Sequence, residues 1–158
     1  MSVWSDTDLL AARAAGKFAA EPWRDEDLTP NGIDLRIGHV LVPATMKEAQ
    51  MEGIVQVPPM TRFLVGTQTV LTMPADAVGS LWIRSSFARK GVLASFGKVD
   101  AGFRGNLTLG AFNASHEPLE VKVGDTFCQV VLHQMRSAAR KPYQGKYQDQ
   151  RGITKAKP

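Results

Sequence analysis

After one short helical opening, the chain becomes a succession of short apolar or alternating runs cut by proline and glycine. That punctuation restricts it to a mainly β architecture. The runs are Ile33–Val42, Gly53–Val57, Phe63–Met73, Gly79–Ile83 and Phe127–Met135. Leu119-Glu120-Val121-Lys122-Val123 alternates strictly, apolar on one side and charged on the other, and Gly124-Asp125 turns the chain into the last run. Alternation with period two buries one face of a strand. Many short strands with turn signals and little helix point to a sandwich or barrel. In the opening segment, Ser5-Asp6-Thr7-Asp8 has the hydroxyl, and the acid three positions on, of a capping box. Leu9 to Ala15 is rich in Ala and Leu, and Gly16 is a natural stop. Pro22, Asp25, Glu26 and Pro30 then break regular structure.

A chain of 158 residues is long enough for a real core. The expectation is a single domain over 1–158, with a polar tail from Ala138 that is mobile without ligand. Apolar and charged contents of 44% and 22% are those of a soluble globular protein. A net charge of +4 suits an anionic ligand. Aromatic residues make up only 8% and do not interleave with the basic ones, so nucleic acid is not an expected partner. The single Cys128 leaves no internal disulfide and fits a reducing compartment. It also argues against a zinc deaminase, which needs a His or Cys plus a paired Cys-x-x-Cys. His39, His116 and His133 are dispersed without ligand spacing. No segment is long and apolar enough to span a membrane and the start lacks a basic-then-apolar leader, so a cytoplasmic protein with no membrane partner is expected.

Two compact polar clusters interrupt the apolar sequence between Gly79 and Asn113. The first is Arg84-Ser85-Ser86-Phe87-Ala88-Arg89. Forked guanidinium donors and hydroxyls at this density suit a phosphate cradle; a solvated strand end followed by a turn is the plainer alternative. The second is Val99-Asp100-Ala101-Gly102-Phe103-Arg104-Gly105. Here a carboxylate stands at a strand end, before a turn that can aim it into a cleft. It can orient and deprotonate a water or bind a sugar hydroxyl, or it can simply accept turn amides.

Both clusters, in this order, resemble the superfamily of trimeric dUTPases and metal-free dCTP deaminases. Further matches are Asn31-Gly32-Ile33-Asp34-Leu35-Arg36-Ile37-Gly38, Asn106-Leu107-Thr108-Leu109 with Asn113, and Gly124-Asp125 with Cys128-Gln129. The tail Tyr143–Gly152 resembles the deaminase branch specifically. The resemblance implies a distorted jelly-roll β-barrel, a homotrimer with sites between subunits, and a Mg²⁺ ion carried on the triphosphate, with no protein metal ligands. It assigns Arg84, Ser85 and Ser86 to phosphate contacts, Arg89 to the second basic position, and Asp100 to the sugar 3′-hydroxyl and the attacking water. Phe103 falls beneath the sugar, where a ring selects deoxyribose. Thr108 and Gly110, on one strand face, fall on the base side, and Gln129 is a phosphate-side amide. Tyr143, Lys146 and Gln150 belong to a tail that closes over the triphosphate.

One departure separates the activities. The deaminase branch carries a Glu ten residues after the Asp; here that position is Gly110. Deamination without a metal needs a group that shuttles protons between water, N3 and the leaving amine, and Gly has none. A carboxylate beside C4 would also repel the O4 acceptor of uracil, and its loss suits that base. The expectation is a dUTP diphosphatase. Two alternatives stand beside it: a dCTP deaminase, mono- or bifunctional, in which another acid such as Glu120 or Asp125 replaces the Glu, and a non-catalytic nucleotide-binding regulator. A Gly inside a strand is also explained by a bulge or a close approach.

Overall fold

The computed structural model describes residues 2–156. The capping-box pattern forms as expected: helix α1 spans Asp6–Ala14, Ser5 accepts the Asp8 amide, and Asp8 reaches back to the Ser5 N–H. Beyond it lie β1 (Ala19–Glu21), β2 (Leu28–Thr29), β3 (Gly32–Leu41), β4 (Ile54–Val57), β5 (Thr61–Thr67) and β6 (Val70–Thr72). They are followed by β7 (Ala77–Ile83), α2 (Ser85–Arg89), β8 (Val92–Ala94), β9 (Lys98–Val99), β10 (Arg104–Gly105), β11 (Thr108–Asn113), β12 (Leu119–Lys122) and β13 (Thr126–Gln134). The fold is mostly β with one short N-terminal helix, its main sheet curled into a half-barrel. The run expected as one strand over Phe63–Met73 is two strands, because Gln68 and Thr69 turn the chain between β5 and β6. Five residues after β7 coil into α2, where the plainer alternative had a turn.

The main sheet runs β8-β11-β5-β3-β13-β7-β9. β2 pairs with β3 off this path, and β1-β6-β10 and β12-β4 form two smaller sheets. Every pairing is antiparallel. On β13, Cys128, Val130 and Leu132 turn inward and are fully buried, while Gln129 and His133 on the other face are only partly covered. A bulge between Thr126 and Cys128 breaks that alternation and leaves Phe127 fully buried as well. Phe127 is the hub of an aromatic cluster: the ring centroids of Phe87, Phe96 and Phe63 lie 4.9, 5.7 and 6.1 Å away. Through Phe87, the one buried residue of α2, this cluster fixes that helix to the core. Among the described residues no helix is long and apolar enough to cross a membrane.

Phe127→Ala should destabilise the fold by about 3–5 kcal/mol, since it empties the centre of this cluster. Equilibrium urea denaturation measures it, and a loss below about 1 kcal/mol would contradict the hub assignment.

Candidate functional site

The strand register builds the first half of the site. Gln129 on β13 faces Asp34 on β3 on one side and Trp82 on β7 on the other. At the end of β7 the Arg84 amide bonds to the Phe127 carbonyl at 3.0 Å, which aims the Arg84 side chain back over this row. The carboxylate of Asp34, only 6% exposed, collects both neighbours. Arg84 Nη1 donates to Asp34 Oδ2 in a short ion pair, and Gln129 Nε2 donates to Oδ1 at 3.2 Å. Gln129 also donates to Thr29 Oγ1 at 3.0 Å. Asp34 thus orients a forked cation and an amide while leaving most guanidinium donors unused. Ser85, Ser86 and Arg89 stand exposed on α2 next door. Behind the row, Cys128 is an inert thiol: burial, and then the Asp34 charge, pushes its pKa up to about 12.

The second half is a cavity of about 430 Å³, within the usual range for small-molecule sites. Asp100, Phe103, Thr108, Tyr143 and Gln150 all line it, so the structure gathers five of the residues singled out in the sequence. The second polar cluster works as its pattern suggests: β9 ends at Val99, and the turn that follows leaves Asp100 half exposed at the strand end. Among the described residues no turn amide reaches the Asp100 carboxylate; its partner is Lys98 Nζ at 3.5 Å. The Phe103 ring is 6% exposed and meets Tyr143 edge-on at 5.6 Å. Asp100 also lines a second cavity of about 510 Å³, whose rim carries Lys98 and Lys141.

The tail forms part of the cavity wall. Tyr143 N–H donates to Ala101 O at 2.8 Å and Asp149 N–H to Arg104 O at 2.7 Å, while Gln148 Nε2 donates to Gly102 O at 3.0 Å. Arg104 and Asp149 form a short ion pair, and the guanidinium's hydrogen bond holds the Asp149 carboxyl below its ordinary value. Gly102 is required where the tail crosses: it sits at φ +83°, and a Cβ there would lie 2.5 Å from Pro142 Cβ. Lys146 Nζ lies 5.5 Å above the Tyr147 ring, and Tyr147 lines the cavity.

Gly110 is placed otherwise. It shares the outward face of β11 with Thr108, yet it lies outside the cavity wall, beside Arg62 and Leu93. A Cβ there would meet only Leu64 Cδ2, at 3.8 Å. Neither a bulge nor a close approach accounts for this Gly. Glu120 on β12 accepts a hydrogen bond from Gln56 on β4, and Asp125 is exposed in the turn before β13; neither lines the cavity. Sequence reasoning missed Asp34 as an orienting residue and Lys98 and Tyr147 as cavity residues. A lone acid inside the apolar run of β3 was the available signal for Asp34.

The family profile described as dCTP deaminase-like matches residues 3–135. A dCTP deaminase from Pyrococcus horikoshii is 43% identical over 129 residues, 81% of this chain and 83% of that protein. A probable deoxyuridine 5′-triphosphate nucleotidohydrolase of Sulfolobus islandicus rod-shaped virus 1 is 34% identical over 158 residues, 98% of each chain. Among solved structures, the 2′-deoxycytidine 5′-triphosphate deaminase of Agrobacterium tumefaciens superposes with a TM-score of 0.69 at 20% identity. That match covers 82% of this chain and 47% of the other, and it shows the shared fold.

Two glycine variants should separate space from strain. Gly110→Ala should leave stability within about 0.5 kcal/mol of the parent, and Gly102→Ala should detach the tail. Urea denaturation with trypsin cleavage at Lys146 and Arg151 reads both; early cleavage in Gly110→Ala, or none in Gly102→Ala, would contradict the placement. The Arg104–Asp149 pair gives a pH dependence. Because the folded Asp149 value lies below the ordinary 3.8, its contribution is full above that pH and is lost as pH falls through the lower folded value. The Asp149 amide resonance should report that loosening in acid.

Proposed function

The chain belongs to the dCTP deaminase-like family, and we propose that within it this protein hydrolyses dUTP to dUMP and pyrophosphate. One observation carries the reading: among the described residues, Asp100 is the only acid lining the cavity. A single carboxylate can hold a sugar hydroxyl and activate a water. Deamination at cytosine C4 needs a further proton-shuttling group near the base, and the strand position where the family resemblance puts it is Gly110. The acids considered as replacements, Glu120 and Asp125, lie elsewhere.

In this reading the deoxyribose packs on Phe103, and Asp100 accepts a hydrogen bond from a water aimed at the α-phosphorus. The water oxygen bonds to phosphorus, its proton passes to Asp100, and the bond from the α-phosphorus to the bridging oxygen breaks to release pyrophosphate. Arg84, Ser85, Gln129 and Lys146 stabilise the developing charge, with Ser86 and Arg89 beside them. Asp34 holds Arg84 and Gln129 in place. Arg84 and Gln129 do not line the Asp100 cavity of their own chain. A homotrimer, in which one copy's phosphate-binding row faces another copy's cavity, completes the site. The tail residues Tyr143, Lys146 and Gln150 close over it, opening to admit nucleotide, and a cytoplasmic nucleotide pool supplies the substrate.

No three His, Cys, Asp or Glu side chains converge among the described residues. The phosphate-side groups are a guanidinium, hydroxyls and an amide, which bind anions. They fit a Mg²⁺ carried on the triphosphate oxygens, which would neutralise charge there.

dCTP deamination is the second reading, and the name carried by the Pyrococcus horikoshii relative favours it. A product assay separates them. Purified protein with Mg²⁺ should convert dUTP to dUMP and leave dCTP undeaminated by ion-exchange chromatography; formation of dUTP or dUMP from dCTP would overturn the assignment. Nucleotide binding without turnover of either would move it to a regulator. Asp100→Asn should lower kcat by about 10²–10⁴-fold while dUTP still binds, and a rate near that of the parent would remove Asp100 from its role.

A further inference from the structure

The end of the chain is pinned at one buried side chain. Asn106, 2% exposed, sits between β10 and β11. Its Nδ2 donates to two carbonyls at once: Thr67 O, at the end of β5, and Gly152 O, in the tail, each at 3.1 Å. The backbone of the same residue completes the clamp. Asn106 N–H donates to Gln150 O at 3.3 Å, and Asn106 O accepts from Gln150 Nε2 at 2.7 Å. Two residues on, Thr108 Oγ1 accepts the Thr154 N–H at 2.9 Å. Of the tail residues held in this way, Gln150 and Thr154 are walls of the Asp100 cavity. Asn106 therefore ties the barrel and the tail together through a single amide.

We propose that Asn106 is a positioning residue, latching the segment from Gln148 to Thr154 in cis so that each chain's own tail walls the cavity of its own Asp100. This deepens the dUTP reading of the site and rests on it only for the activity arms of the test. The latch also carries its own release. Asn106 Oδ1 is buried and finds no donor among the described residues, so the docked state leaves an acceptor unsatisfied. When the tail lifts, water reaches that oxygen and offsets part of the hydrogen bonding lost. The tail is thus held firmly enough to shape the cavity and loosely enough to open for nucleotide.

Hydrogen–deuterium exchange on the nucleotide-free, full-length protein reads the latch without any activity. Asn106→Ala should speed exchange of amides 148–156 by about tenfold or more. Gly152→Ala approaches from the tail side: Gly152 sits at φ +62°, where a Cβ is strained, although its nearest neighbour would be His39 Nε2 at 3.7 Å. That variant should free the same amides and leave those of β3, β7 and β13 unchanged. With dUTP, both variants should raise KM by about tenfold while kcat stays within about threefold. For the cis arrangement, full-length Asp100→Asn is co-expressed with a chain truncated after Lys141. No turnover should return, because no chain carries both Asp100 and a tail. Unchanged tail exchange in both Ala variants, or a freed tail with an unaltered KM, overturns the latch; recovered turnover on co-expression overturns the cis assignment. Should the parent protein fail to hydrolyse dUTP, the functional reading falls and the exchange result alone decides the latch.

Discussion

The site depends on the placement of β13. Held between β3 and β7, it must turn Cys128, Val130 and Leu132 into the core and Gln129 toward Asp34 and Trp82. A slip of one residue would exchange those faces, burying the amide and exposing the apolar set. The bulge at Thr126–Cys128 lets Phe127 join the core despite its position in the sequence, and Phe127 anchors Phe87. The exposed hydroxyls of Ser85 and Ser86 are thereby tied, through α2, to the best-packed part of the molecule. Packing energy in one strand becomes positional accuracy in the polar groups beside it.

Asp34 shows how that accuracy is used. A nearly buried carboxylate is costly unless charge and hydrogen bonds compensate it. Arg84 and Gln129 supply that compensation, and both are oriented by doing so. Arg36 and Asp27 form a similar pair nearby, where the Asp27 hydrogen bond raises the Arg36 guanidinium further above its ordinary value. The difference is reach: Arg36 is spent on Asp27 and the Gly124 carbonyl, whereas Arg84 donates to Asp34 through one nitrogen and lies at the rim.

Much of this was legible in the chain. The alternation of β12, the capping box of α1, the turn at Gly124-Asp125 and the Asp100 strand end are local, and local patterning obeys the periods of helix and strand. The residues around Asp100 were also recognisable as a cavity set, because a short motif brings Asp100 and Phe103 together. Other features were hidden. Helix α2 forms from a five-residue segment whose own propensity is weak, held down by one phenylalanine. Gly110 read equally well as a packing glycine or as the absence of a carboxylate; only its surroundings, open but for Leu64, argue against the first.

The sequence by itself determined most of the elements, the family and the identity of the chemical groups, since these depend on neighbours along the chain. The tertiary structure decided which groups meet. Asp34 finds Arg84 across 50 positions, and Asn106 finds Gly152 across 46. Such meetings follow from strand order and register in a curled sheet and from where the tail crosses it. That geometry is set by how all the apolar faces pack together, and no single stretch of sequence contains it.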